Sequence, residues 1–71
     1  MVDDYVKQEI KRLYDLDMLI IVDFKSLVYG DIYYVELGDK YYEVLEHYRL
    51  DDKIIREVTP RIIEITEWDY V

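Results

Sequence analysis

The chain has 71 residues, no cysteine, a single histidine and a formal net charge of −8. Disulfides and thiol chemistry are thereby excluded, an imidazole-based zinc site lacks ligands, and the acidic field opposes nucleic acid and anionic membrane surfaces while favouring basic partners. At 52 % hydrophobic residues the sequence is expected to fold, as a single small α+β domain over residues 1–71. A chain of this length buries only roughly 60–65 % of its unfolded surface, so it needs a well-packed core or self-association.

The first predicted element is a helix from Asp3 to Leu16. Val6, Ile10 and Leu13 recur at helical spacing, with Tyr5 and Tyr14 beside the same stripe. Asp3 or Asp4 caps its start and meets the positive end of the helix dipole. Lys7, Gln8, Lys11 and Arg12 form a solvated opposite face. "MLIIVDF" (18–24) then reads as a buried strand, being short, branched and without helical periodicity. "KSLVYG" either extends that strand or forms a loop, and Gly30-Asp31 is the first plain break.

"DIYYVEL" and "KYYEVLEHY" flank Gly38-Asp39, a two-residue loop with glycine where a type II′ turn needs it. That turn sets the register: Leu37 opposite Lys40, Val35 opposite Tyr42 and Tyr33 opposite Val44 on one face. On the other, Glu36 opposes Tyr41, Tyr34 opposes Glu43 and Ile32 opposes Leu45. Asp51-Asp52 reverses the chain into "KIIREV". A simple two-residue loop there sets Glu46 against Glu57, a repulsive pair. The expected register is therefore shifted by one residue, giving Tyr48–Ile54, Glu46–Arg56 and Val44–Val58. A short helix over Asp51–Thr59 is the alternative. Pro60 argues against a tight hairpin at Thr59-Pro60 and for a bend or edge position. "RIIEITEW" resumes the strand pattern, and Trp68 is expected to cover one end of the core. The expected fold is one N-terminal helix followed by a four- or five-stranded, mainly antiparallel β-meander, flat or curled into a partly open barrel.

Six of the nine tyrosines fall between Val28 and Tyr48, on both faces of the predicted hairpin. One helix covers one sheet face; barrel closure, another subunit or a partner must cover the second. A face mixing tyrosine with glutamate has the composition of a protein-contact surface. Tyr34, Tyr41, Glu43 and His47, with Ile32 and Leu45 beneath them, are the candidate partner-binding residues. The bland alternative is that these tyrosines simply favour strands and tolerate partial exposure.

Chemistry finds little footing. Glu43, Glu46 and His47 are close in sequence, but on a strand Glu46 points away from the other two. "DLD" (15–17) begins like a calcium loop and continues into "MLIIV", which supplies no oxygen ligands; Asp51-Asp52 reads as a turn. Ser26 is the only serine, no phosphate-cradling loop exists with two glycines, and a chain this short has little room for a substrate pocket. No catalytic, metal or cofactor residue is assigned.

The longest apolar run, Met18–Val22, is too short to span a membrane, and the N-terminus shows no secretory pattern, so a cytoplasmic location is expected. The absence of asparagine and cysteine beside many charges fits a hot environment. The expected function is a non-catalytic, acidic protein-interaction module, accessory or inhibitory, and homodimeric. Two alternatives stand beside it: a nucleic-acid-mimicking inhibitor of a basic protein, and a dimeric small-ligand-binding module with an aromatic-lined cleft.

Overall fold

In a computed structural model, which describes residues 2–61 and 67–71, one helix precedes five antiparallel strands in an open sheet. Helix α1 spans Asp4–Asp15. The strands are β1 (Ile20–Leu27), β2 (Gly30–Leu37), β3 (Lys40–His47), β4 (Ile54–Pro60) and β5 (Trp68–Tyr70), ordered β1-β2-β3-β4-β5. The α+β meander expected from the sequence is the observed architecture. Most of the expected strand "RIIEITEW" falls on residues 62–66, outside the described residues.

Local chemistry sets the helix ends. The Asp3 side chain accepts the Val6 backbone N–H at 3.0 Å, satisfying one of the orphan donors of the first turn. At the other end Met18 N–H bonds to Leu13 O and Asp17 N–H to Tyr14 O, a Schellman closure with Asp17 in the left-handed region at φ 57°. The "DLD" segment thus stops the helix and starts the chain towards β1.

The β2–β3 register is the expected one at all six predicted pairs. Gly38 has φ 65°, the conformation that the first turn position demands. The break before β2 lies elsewhere than expected. The chain turns at Val28–Tyr29, and Gly30 is already the first residue of β2, opposite His47. A Cβ at Gly30 would overlap the Glu46 carbonyl and stand 3.0 Å from His47 Cα, so close strand approach is what requires glycine there.

The β3–β4 register differs from the expectation. Leu45 opposes Ile54, Val44 opposes Ile55, Glu43 opposes Arg56 and Tyr41 opposes Val58. The shift is three residues, an odd number, so β4 presents the opposite set of side chains to each face. The connection is longer than a tight reversal, running from Tyr48 to Lys53. The short-helix alternative for 51–59 is likewise replaced by a strand. Pro60 ends β4 opposite Trp68, at the end of the strand where its missing N–H is tolerated.

The helix covers one face of β2–β4. Ile10 packs with Tyr33, Val35, Tyr42 and Val44, all nearly or fully buried, and Val2, Val6, Leu19, Leu37 and Ile55 border them. Tyr14 stacks on Tyr33 at 6.1 Å, and Lys53 Nζ lies 4.1 Å from the Tyr14 ring centroid, fixing the C-terminal end of the helix over the sheet. The helix does not reach β1: Phe24, on the helix side opposite Tyr33, is 57 % exposed.

Candidate functional site

The face away from the helix carries all six candidate residues, and the strand ladders place them in rows. One row crosses the sheet as Lys25, Ile32, Leu45 and Ile54; the next as Asp23, Tyr34, Glu43 and Arg56; a third holds Glu36, Tyr41, Val58 and Tyr70. In a flat sheet β5 would lie about 14 Å from β2, three strand spacings away. Here the Trp68 indole stacks on Tyr34 at 4.7 Å and 4°, and tilts against Tyr41 at 5.4 Å. Its N–H donates to Asp23 Oδ2 on β1 at 3.3 Å. The sheet therefore curls strongly towards this face, and side chains bridge its two edges without a β1–β5 ladder.

Beneath this cover lies a buried carboxylate. Glu43 is 8 % exposed and accepts the Tyr34 hydroxyl at 2.9 Å and the Tyr70 hydroxyl at 3.2 Å. Burial, the bond to Glu43 and the nearby negative charge hold the Tyr34 hydroxyl protonated well above the usual phenol range. The Tyr70 hydroxyl is raised too, by desolvation first and then by the Glu43 charge, with Arg56 opposing the shift. The Arg56 guanidinium lies 5.0 Å from the Tyr70 ring centroid, and Lys25 Nζ 5.5 Å from that of Tyr34. Satisfied on both sides, Glu43 stitches β2 and β5 together across the sheet face.

The candidate residues thus fall into two groups. Tyr34 and Glu43 are buried under Trp68 and Tyr70, with Tyr41 half-buried beside them. Ile32 and Leu45 are half-buried outside that cover, and His47 stands at the end of the sheet, 5.4 Å from the Tyr29 ring, its Nδ1 accepting the Arg49 N–H. Around His47 the tip of the molecule gathers Val28 (98 % exposed), Tyr29, Tyr48 and Leu50, joined by the Tyr48 N–H···O bond to Tyr29. Sequence reasoning missed Trp68, Tyr70 and Ile54 as members of this face. The odd-numbered register of β4 hid Ile54, and the curl that delivers the other two leaves no local pattern.

Among the described residues no three histidine, aspartate or glutamate side chains converge as metal ligands, and no helix is long and apolar enough to cross a membrane. No family model, curated protein or solved structure matches the chain.

Proposed function

We propose that this protein is a non-catalytic, acidic interaction module that acts, as an accessory or inhibitory subunit, by occupying the surface of a partner protein, and that it does so as a cytoplasmic homodimer. One observation carries the reading. The cover supplied by Trp68 and Tyr70 stops short, leaving the apolar row Ile32, Leu45 and Ile54 open beside the exposed aromatic tip of Tyr29 and Tyr48. An apolar floor continuous with tyrosines is the composition of an interface centre, where tyrosine supplies large area with a polar end. The net charge of −8 steers encounter towards a basic partner, while the apolar floor supplies the residence time.

The test is an affinity capture from host lysate with the wild type and with Ile54→Lys/Tyr48→Ser, both at positions exposed enough (40 % and 65 %) to spare the fold. A specific partner should survive a high-salt wash on the wild type and be lost from the variant. Retention of the same partner by the variant, or capture of none, overturns the reading.

A further inference from the structure

The two edges of the sheet are unlike. Edge β5 is three residues long, whereas β1 presents eight, with no strand on its outer side among the described residues. A free edge of that length offers outward N–H and C=O groups to another strand, the Phe24 N–H being held in the single chain by Asp23 Oδ1 at 2.8 Å. Apolar side chains border it: Leu16, Met18, Ile20, Ile21 and Phe24 are all between 49 % and 63 % exposed. We propose that a second copy of this chain pairs antiparallel with β1 around a twofold axis at Phe24, joining two five-stranded sheets into one. The proposal names the surface behind the homodimer advanced above and is independent of any heterologous partner.

Charge complementarity selects both the occupant and the register. In a symmetric antiparallel pair, opposed residues lie on the same face, so the twofold axis passes through a residue. Centring it on Asp23 or Lys25 sets a like charge against itself. Centring it on Val22 places it on the bulge between Ile21 and Asp23. Centring it on Ser26 leaves both charges opposite uncharged residues. Only an axis at Phe24 sets Asp23 against the partner's Lys25 and Lys25 against the partner's Asp23, on the face that carries Trp68. Asp23 Oδ1 exchanges the Phe24 N–H, which turns to the partner strand, for the partner's Lys25, while Oδ2 keeps the Trp68 N–H. On the helix side Phe24 then meets the partner's Phe24, where the helix leaves it uncovered. A bulge and charges commonly protect edge strands. Here the bulge sits upstream and leaves Asp23–Leu27 in regular pairing with β2, and the charges attract their own copies.

Sedimentation of the purified full chain, from micromolar to sub-millimolar concentration, tests this without any partner protein. The wild type should dimerise with a micromolar dissociation constant. Lys25→Glu and Asp23→Lys, each creating two repulsive cross-strand pairs, should each raise that constant about tenfold or more. Mixed together, they should recover a 1:1 heterodimer, because every cross-strand pair is again attractive. Should Asp23→Lys fail to fold for loss of the Trp68 acceptor, Phe24→Asp replaces it, at a position exposed enough to spare the monomer, and must be monomeric. A monomeric wild type overturns the dimer. A Lys25→Glu chain that dimerises like the wild type, or a mixture that stays monomeric, overturns this register while leaving the partner-binding reading standing.

Discussion

Two adjacent tyrosines on opposite faces of β2 should respond very differently to loss of one oxygen atom. Tyr34→Phe keeps the ring, its burial (4 % exposed) and its stack on Trp68, and removes only the hydroxyl that donates to Glu43 at 2.9 Å. A hydrogen bond to a charged acceptor contributes about 1.5–3 kcal/mol. Because Tyr70 continues to donate to Glu43, the expected loss lies at the lower end, about 1.5–2 kcal/mol. Tyr33→Phe removes a hydroxyl that reaches Glu46 only at 3.5 Å, beside a half-exposed carboxylate, and should cost about 0.5 kcal/mol or less. For a chain of this size, stable by about 4–10 kcal/mol, the first change is large and should lower Tm by about 6–16 °C. Urea titrations followed by fluorescence of Trp68, the only tryptophan, measure both. A double-mutant cycle with Glu43→Gln should give a coupling of about 1 kcal/mol. Equal losses for the two tyrosines, or no coupling to Glu43, would refute the role given to the buried carboxylate.

Alkali should unfold the protein through the same groups. Tyr33, Tyr34, Tyr42 and Tyr70 are all held protonated above the usual phenol value of 10.0, burial being the first cause in each. A raised folded-state pKa gives stability that is fully present below the unfolded value and lost as pH rises beyond it. Thermal melts should therefore be unaffected by these groups below about pH 9 and fall steeply above about pH 10, less steeply in Tyr34→Phe. Asp17→Gly relieves a left-handed residue at the helix end and should raise stability by about 0.5–1 kcal/mol in a urea melt. Gly38→Ala, also at positive φ but with open space around its Cβ, should lower it by about 1 kcal/mol. Gly30→Ala must instead push β3 away, and should give a larger loss, about 2 kcal/mol or more, with weakened amide protection in both strands by hydrogen exchange.

What the sequence determined by itself was everything encoded within a few residues. The Val6–Ile10–Leu13 stripe and the Asp3 cap specify α1, and Gly38-Asp39 specifies the β2–β3 register, because a two-residue turn leaves the pairing no freedom. Even the identity of the two sheet faces follows from that turn by alternation. The β3–β4 register was decided by the tertiary structure. A six-residue connection does not fix pairing, so the strand slides to where Ile55 enters the core beside Val44 and Val58 is buried behind Tyr41. Coverage of the second face was decided there too. Trp68 reaches Tyr34 and Asp23 only because the accumulated twist of five strands closes a gap that no local spacing describes. The same curl divides the six candidate residues, burying Tyr34 and Glu43 while leaving Ile32, Leu45 and His47 near the surface. Hydrophobic pattern assigns a side chain to a face; which part of that face meets water is set by the elements that fold over it.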